Sequence, residues 1–391
     1  MCAVQAGARS FLESARALAP RIREAAPLIE RNRELPRPLF EALADAGLFH
    51  MMVPRQVGGA ELDLPTYLDV IEELGQADGS TAWCINQGGI FATHACCMPP
   101  ALAREIWFGT PRAVVANTPA PTATVVAVPG GYRVTGRQPY STGSRHASWI
   151  AARGAITEDG APRRLPDGSP DIRFLAIPIG EVTLLDTWHT YGLRGTGTHD
   201  FEVTDHFVPE HRTFSPTAAP LPEYGPLYII NRNTLFAVGD AGIALGVARS
   251  SVQAFIELAH AKTPGYMTAK LDTVPMVHYE FGQAEALLRA ARSLLFETVR
   301  EVWASLVASG VLTMDQRAAL RTATTFALRQ SAKVVETVYN LAGASAVLNS
   351  HPLQRQFQDI HVITQHVQAR QAHYELIGRY LLGQPTDSRY L

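Results

Sequence analysis

The chain has 391 residues, of which 47% are hydrophobic and 18% are charged, and its formal net charge is −2. This composition is ordinary for a folded protein and excludes disorder for most of the chain. Because phosphate binding needs a basic excess, the balance of 34 Lys and Arg against 36 Asp and Glu argues against nucleic acid or an anionic membrane as a partner.

Three features of the sequence bear on the cellular compartment of the protein. No apolar run approaches the ~20 residues of a membrane span. Residues 1–10 lack the basic and apolar regions of a secretory signal peptide. The four cysteines, Cys2, Cys84, Cys96 and Cys97, are too few for a disulfide framework and contain no CxxC pattern for zinc. We therefore expect a cytoplasmic protein.

Residues 1–110 are predicted to form an N-terminal α-helical domain. Apolar residues recur at helical spacing over residues 8–34. Pro65 is placed to start a later helix, because proline suits the first helical turn. Ser80 or Thr81 is expected to cap the apolar helix that follows.

Residues 111–224 are predicted to form a central β-domain. Short β-branched runs bounded by glycine and proline replace the helical period here. Residues 129–131 (PGG) read as a hairpin turn between the runs 125–128 and 132–134. Because no helix separates the strand-like runs, their spacing indicates a small antiparallel barrel or sandwich.

Residues 225–391 are predicted to form a C-terminal four-helix bundle, because the helical period returns in long amphipathic stretches with short connections. These stretches are residues 228–261, 274–309, 315–342 and 353–382. In the last of them Asp359 and His366 are seven residues apart, so a continuous helix would place both on one face.

Two common cofactor sites lack support in the sequence. Residues 195–197 (GTG) resemble the start of a dinucleotide loop, but they lie between predicted strands and open no helix. A nicotinamide site is therefore not evident, and if the protein carries out redox chemistry, its reducing equivalents would arrive on a flavin. A di-iron centre in the bundle would need two Glu-x-x-His pairs, whereas we find only Glu257 with His260.

Three collinear segments carry a resemblance to a known family. They are residues 131–143 (GYRVTGRQPYSTG), 187–198 (TWHTYGLRGTGT) and 341–361, which contain LAGAS and PLQRQFQDIH. Together they resemble the acyl-CoA dehydrogenase superfamily, and more closely its flavin-dependent monooxygenase branch. The resemblance implies that superfamily's fold, with an N-terminal helical domain, a central β-barrel and a C-terminal four-helix bundle, assembled as a homotetramer.

The resemblance also implies a function. The monooxygenase branch contains the oxygenase components of two-component systems, which receive FMNH2 or FADH2 from a separate NAD(P)H:flavin reductase. A C4a-hydroperoxyflavin would then hydroxylate an aromatic or heterocyclic small molecule, or N-oxygenate an amine.

One contrast near the C-terminus favours this branch over the dehydrogenases. Many acyl-CoA dehydrogenases carry a catalytic Glu just after an RD motif, whereas here Asp359 is followed by residues 360–367 (IHVITQHV). By resemblance, His366 stands where the monooxygenase branch carries its active-site histidine. An imidazole there suits proton transfer near neutral pH.

The remaining site residues are assigned by the same resemblance and by the expected position of the pocket. The flavin-binding candidates are Asn117, Ser141, Thr142, Gly143, Trp188, Arg194, Gly343 and Ser345. For Arg194 a structural salt bridge is an equal alternative, and for Gly343 a plain helix C-cap is nearly so. The substrate-binding candidates, each with a packing alternative, are Trp83, Asn86, Gln87, Phe91, His94 and Tyr228.

Two other functions remain open from the sequence. One is an acyl-CoA dehydrogenase or flavin oxidase whose catalytic base has moved, to Glu375 or Glu280. The other is a catalytically silent member of the fold that acts as a binding or scaffold protein.

Overall fold

The computed structural model describes residues 2–220, 224–265, 267–387 and 391, and of residues 2–9 it describes the backbone alone. Helices form the first part of the chain, strands the second and helices again the third, which confirms the predicted architecture. Each part supplies one piece of the candidate site.

The N-terminal part is helical because its apolar residues repeat at helical spacing. Its helices are α1 (Cys2–Asn32), α2 (Arg37–Asp45), α3 (Leu64–Ala77), α4 (Gly79–Ala92) and α5 (Pro100–Trp107). Pro65 lies in the first turn of α3, as predicted. The predicted cap of α4 is wrong, because the Asp78 carboxylate accepts from the Thr81 backbone N–H at 2.7 Å and the helix therefore begins before Ser80.

The central part forms one mixed sheet. Its strands are β1 (Val115–Asn117), β2 (Ala123–Val128), β3 (Gly131–Ser141), β4 (Trp149–Glu158), β5 (Ala161–Pro162), β6 (Ile172–Pro178), β7 (Thr183–Leu185), β8 (His199–Pro209) and β9 (Thr213–Phe214). Their hydrogen-bonded order is β7-β8-β3-β2-β4-β6-β9, with β1 and β5 also paired to β4. The predicted hairpin joins β2 to β3. The expected purely antiparallel pairing is wrong, since β1 and β2 both run parallel to β4.

The C-terminal part is a bundle whose last member is interrupted. Its helices are α6 (Arg232–Ala261), α7 (Pro275–Ser309), α8 (Met314–Ala342), α9 (Pro352–Ile363) and α10 (Ala372–Leu381). The predicted continuous helix over residues 353–382 is wrong. Its apolar spacing continues across the break, but Thr364 ends α9 and His366 adopts an extended backbone, with φ −65° and ψ 150°.

Helix α6 lies at the centre of the molecule, between α3 and α8. By length and composition it could cross a membrane, but 83% of its most apolar window is buried inside the protein, as in a core helix. Glycines let α3 and α6 approach closely. A Cβ atom on Gly75 would lie 2.9 Å from the Ile243 carbonyl oxygen, so a larger residue would push the helices apart.

Candidate active site

A histidine–aspartate pair joins the break after α9 to the middle of α6. Nδ1 of His366 lies 2.7 Å from Oδ2 of Asp240. The Asp240 side chain is 1% exposed, whereas 30% of the His366 side chain remains accessible. Because a carboxylate only accepts hydrogen bonds, Nδ1 carries the shared proton, and in the neutral ring Nε2 is the nitrogen with the free lone pair. This arrangement gives an accessible imidazole with one fixed tautomer.

Two further polar side chains hold the Asp240 carboxylate, and a third supports one of them. Nδ2 of Asn86 donates to Oδ1 at 2.9 Å, and Nε2 of Gln87 donates to the same oxygen at 3.3 Å. Oδ1 of Asn86 in turn accepts from the Tyr67 hydroxyl at 2.8 Å. Burial, and then the charge of Asp240, raise the pKa of Tyr67, so its hydroxyl stays a neutral donor. Both carboxylate oxygens are therefore held by donors.

Helix α4 supplies this side of the site because residues three and four apart share a helix face. Trp83 meets the His366 ring edge-to-face, with ring centroids 5.2 Å apart and planes at 87°. One turn later Asn86 and Gln87 reach Asp240. A Cβ atom on Gly239 would overlap the Asn86 amide, so glycine is required beside the carboxylate.

A second polar cluster lies at the end of β3. The Thr198 hydroxyl is 3.0 Å from the Thr142 hydroxyl and 2.7 Å from the Thr196 hydroxyl. The backbone N–H of Gly143 donates to the Thr196 carbonyl at 2.9 Å. The Ser141 hydroxyl is buried and has no hydrogen-bond partner among the described residues. A buried hydroxyl without a protein hydrogen-bond partner, next to other hydroxyls, is placed to form a hydrogen bond with the polar edge of a ligand.

The two clusters flank the start of α4. Cys84, the neighbour of Trp83, points its thiol at the Thr196 carbonyl, with the sulfur 3.7 Å from the oxygen. Two bulky residues near the second cluster, Tyr140 and Leu193, have left-handed backbone with φ of 62° and 48°. Backbone strain of this kind persists where the surroundings over-determine it, and it is common at functional sites.

Asp359 anchors the second cluster to the bundle. Its Oδ1 accepts from the Leu193 backbone N–H at 2.6 Å, and the Leu193 carbonyl accepts from Trp188 Nε1 at 2.9 Å. Burial, and then the nearby Asp78, raise the pKa of Asp359 to about 8. The expectation that Asp359 shares a helix face with His366 is wrong, because α9 ends between them and each side chain has a different partner.

The other flavin-binding candidates lie in several places. Asn117 is half-buried at the end of β1. Arg194 pairs with Glu30 of α1 at 3.0 Å, which is the salt-bridge alternative. Gly343 and Ser345 follow α8, with Gly343 exposed, and they form no hydrogen bond with the Thr142 cluster among the described residues.

A groove of about 1100 Å³ lies beside Arg194 but is separate from both clusters. Its lining includes Tyr191, Arg249, His351 and Arg355, and it contains neither His366 nor Thr142. The size of this groove does not identify it as the active site, because the His366–Asp240 pair and the Thr142 cluster lie outside it.

The substrate-binding candidates divide into two groups. Trp83, Asn86 and Gln87 meet the His366–Asp240 pair, as described above. Phe91 and His94 instead pack with the β-domain rings of Phe174 and Phe214, with centroids 5.2 to 6.4 Å apart.

Tyr228 is buried against Tyr224, and its hydroxyl is 3.4 Å from the Met52 carbonyl oxygen. The relocated base of the dehydrogenase alternative has no comparable setting. The Glu375 side chain is 74% exposed, and Glu280 is half-buried on α7.

Asp240 was missed by sequence reasoning, although a signal for it exists. It is the one acidic residue in the apolar run 234–248 of α6. A carboxylate on a helix buried on all sides needs a partner, because an unpaired buried charge is costly. The sequence does not name that partner, which lies 126 residues away.

Two family models match the chain. The acyl-CoA dehydrogenase N-terminal domain matches residues 3–99, and the acyl-CoA dehydrogenase C-terminal domain matches residues 238–371.

The relatives extend this similarity over nearly the whole chain. The indole-3-acetate monooxygenase of Pseudomonas putida is 28% identical and covers 93% of this chain and 91% of its own. The flavin-dependent monooxygenase oxygenase subunit HsaA of Mycobacterium tuberculosis H37Rv is 28% identical over 97% of both chains. The crystal structure of 3-HSA hydroxylase from Rhodococcus sp. RHA1 superposes with a TM-score of 0.87, at 26% identity, over 97% of this chain and 98% of that one.

The chain therefore belongs to the acyl-CoA dehydrogenase family, and within it to the flavin-dependent monooxygenases. Its function is that of an oxygenase component, and its cofactor is a flavin. An oxygenase subunit implies a separate flavin reductase as its partner.

The residues present fit a flavin. Its isoalloxazine edge carries hydrogen-bond donors and acceptors, and the end of β3 offers the unmatched Ser141 hydroxyl together with those of Thr142 and Thr198. The same cluster adjoins α4, which carries the Trp83 contact to His366. Hydroxyls on one side and an imidazole on the other would face different parts of a bound ring system.

Proposed function

We propose that this oxygenase component hydroxylates a small aromatic or heterocyclic compound, or N-oxygenates an amine, with His366 as the proton-transfer residue. The observation that carries the proposal is the 2.7 Å contact between His366 Nδ1 and Asp240 Oδ2, which fixes one tautomer.

The chain's own residues have separable roles in this proposal. Asp240 holds the His366 proton on Nδ1, so Nε2 can accept a proton from a substrate hydroxyl or amine and return it later. Ser141, Thr142 and Gly143 would hold the flavin, which when bound in reduced form supplies the activated oxygen. Trp83 presents an apolar wall beside His366 and limits access by water.

The amide candidates gain a different role from the one expected. Asn86 uses both ends of its amide, on Asp240 and on Tyr67, so it positions the carboxylate instead of contacting a substrate. The substrate contacts are therefore expected from Trp83, the accessible edge of His366 and reduced flavin.

Assembly and electron supply complete the proposal. We infer a homotetramer, which is supported by the family and by the exposed Gly343 turn that would reach a neighbouring subunit. Reduced FMN or FAD would come from an NAD(P)H:flavin reductase. The free thiols of Cys84, Cys96 and Cys97 are compatible with a reducing cytoplasm.

The test is His366→Ala, with His361→Ala as its matched control. His361 lies five residues earlier, and its Nε2 is 3.5 Å from Glu336, away from the Asp240 pair. We expect His366→Ala to keep the fold and reduced-flavin binding but to lose about 10²–10⁴-fold in product formation, the usual range for acid–base assistance. Released hydrogen peroxide should account for the oxygen consumed without product.

His361→Ala should behave nearly as the unchanged protein. A His366→Ala variant that forms product at a normal rate and with normal coupling, beside an inactive His361→Ala, would show that the wrong histidine had been assigned.

A further inference from the structure

Two adjacent cysteines contact an arginine just beyond the end of α4. The sulfur of Cys97 is 3.1 Å from Nη2 of Arg232, and the sulfur of Cys96 is 3.3 Å from the same atom. Arg232 is the first residue of α6, and in its thiol form Cys97 also donates to the His94 carbonyl oxygen, with 3.2 Å between sulfur and oxygen. Cys96 is buried and Cys97 is half-buried, so a small reagent can reach the second thiol first.

The surroundings of Arg232 favour an anion at this place. Within the described part of the chain its only other hydrogen bond is to the Thr93 carbonyl, at 3.4 Å, and its Nε is buried without a partner. Among the described residues, no carboxylate lies within ion-pair distance of the Arg232 guanidinium. A half-buried guanidinium is stabilised by a negative neighbour, and here the two sulfur atoms occupy that position.

The acidity of the two thiols agrees with this geometry. The hydrogen bond from the Cys96 thiol lowers the pKa of Cys97 to about 7, with Arg232 assisting and burial opposing. The pKa of Cys96 is raised by the same hydrogen bond and by burial. Burial also raises the pKa of Cys84, which has no such cation beside it. Among Cys84, Cys96 and Cys97, the thiolate form is therefore favoured most at Cys97, which is half-buried and has the shorter contact with Arg232.

We propose that Cys97 is a modification site at which hydrogen peroxide forms a sulfenic acid, with Arg232 holding the attacking thiolate. The sulfur attacks one peroxide oxygen, the S–O bond forms as the O–O bond breaks, and the departing hydroxide takes a proton to become water. The sulfur loses two electrons and the peroxide gains them. Neither flavin nor substrate takes part, so the proposal stands apart from the oxygenase function.

The adjacent Cys96 does not readily convert this product into a disulfide. Consecutive Cα atoms are only about 3.8 Å apart across a trans peptide. Protein disulfides usually span about 4.4–6.8 Å between Cα atoms, so a bond between neighbours would be strained. The sulfenic acid should therefore persist, with Arg232 as a hydrogen-bond donor to its oxygen.

The experiment treats the reduced full-length protein with hydrogen peroxide, traps sulfenic acids with dimedone and quantifies each cysteine peptide by mass spectrometry. We expect at least tenfold more label on Cys97 than on the buried Cys84. Arg232→Met should lower the Cys97 label at least tenfold, and Arg232→Lys should restore part of it. The matched control is Arg249→Met, which removes an arginine paired with Glu285 and should leave the label unchanged.

Three outcomes would overturn the proposal. The first is equal labelling of Cys97 and Cys84, and the second is an unchanged Cys97 label in Arg232→Met. The third is label on Cys97 only after Cys96→Ser, which would reveal a disulfide between the neighbours. Iodoacetamide alkylation of the folded, unmutated protein provides a second measurement that needs no variant, and it should also favour Cys97 over Cys84.

Discussion

At the scale of single residues, the site depends on how Asp240 is held. One carboxylate oxygen receives the His366 proton, while the other receives the amides of Asn86 and Gln87. Donors therefore surround the carboxylate on both sides, and only an acceptor at this position satisfies all of them.

Asp240→Asn tests this arrangement without changing the size of the side chain. If the new amide N–H2 faces His366, the ring must accept on Nδ1 and carry its proton on Nε2. If it faces Asn86 and Gln87, donors oppose donors. We expect product formation to fall about 10²–10⁴-fold, as for other aspartates that orient a catalytic histidine, while reduced-flavin binding is kept.

The chain offers a matched control for this substitution. Asp272 also accepts from a histidine, His260 Nδ1 at 2.8 Å, but the His260 side chain is 68% exposed. Asp272→Asn should leave product formation unchanged. Normal turnover and an unchanged pH–rate profile in Asp240→Asn would show that the carboxylate does not position the imidazole.

At the scale of secondary-structure elements, helix contacts and one loop anchor position the site. Helix α6 carries Asp240 and must approach α3, which carries Tyr67. A Cβ atom on Gly246 would overlap the Glu72 carbonyl oxygen and lie 2.7 Å from the Gln76 backbone nitrogen. The close approach of these two helices therefore depends on the absence of a side chain.

Gly246→Ala should destabilise the protein by about 1–3 kcal/mol, the usual cost of overpacking. Gly282 on α7 is the control, because it is exposed and a Cβ there meets no atom within 4 Å. Gly282→Ala should stabilise the protein by about 0.5–1 kcal/mol, since alanine suits a helix interior better than glycine. Thermal or urea unfolding measures both, and a shift of the same sign in the two variants would contradict this account of the α3–α6 contact.

Asp359, which anchors the loop containing Leu193, should make stability depend on pH. Its folded pKa is raised to about 8 by burial and then by Asp78, whereas the unfolded carboxyl ionises near 4. Between these values the folded state binds more protons than the unfolded state, so its contribution to stability decreases as pH rises from about 4 to about 8. Asp359→Asn removes this dependence and keeps an oxygen for the Leu193 N–H.

We expect Asp359→Asn to gain thermal stability over the unmutated protein as pH is raised from 5.5 to 8.5. Asp159→Asn, in an exposed turn, should show a constant difference over the same range. A gain for Asp359→Asn that is independent of pH would mean that the carboxyl does not titrate as the buried environment predicts.

At the scale of the whole molecule, each of the three parts of the chain contributes different residues to the candidate site. In the proposed site, the end of β3 would provide hydroxyls for the flavin, the bundle would provide His366 and Asp240, and α4 lies between them. The sequence's candidate for a dinucleotide loop lacks the setting of such a loop. Residues 195 and 196 lie in a short 3-10 turn between β7 and β8, residue 197 follows that turn, and no α-helix begins there.

The protein alone should therefore not oxidise NADH at a useful rate when its substrate is present. An unrelated NADH:flavin reductase with free flavin should restore product formation, and chemically reduced flavin added in its place should give a limited amount of product. NADH consumption and product are measured together. Sustained turnover with NADH and no reductase would place the reductase activity within this chain.

The sequence by itself determined the order of architectures and most of the elements. The spacing of hydrophobic residues is a local property of the sequence. It therefore predicts the helices of the first and third parts and the strands between them. His366 was proposed by resemblance, because its position relative to the 352–361 motif is a matter of sequence spacing. Pro65 was found at a helix start because proline acts on its own turn.

Only the tertiary structure decided what these residues contact. Asp240 became the partner of His366 because α6 passes the break after α9, and pairing over 126 residues leaves no local pattern. The break itself was hidden, since the apolar spacing continues from Ile363 to Val367 while the hydrogen-bonded helix stops. Phe91 and His94 pack against the β-domain instead of against His366, and Arg194 forms an ion pair with Glu30. Whether such a residue packs in the core or contributes to the site depends on which surfaces meet in the folded protein, which local sequence does not specify.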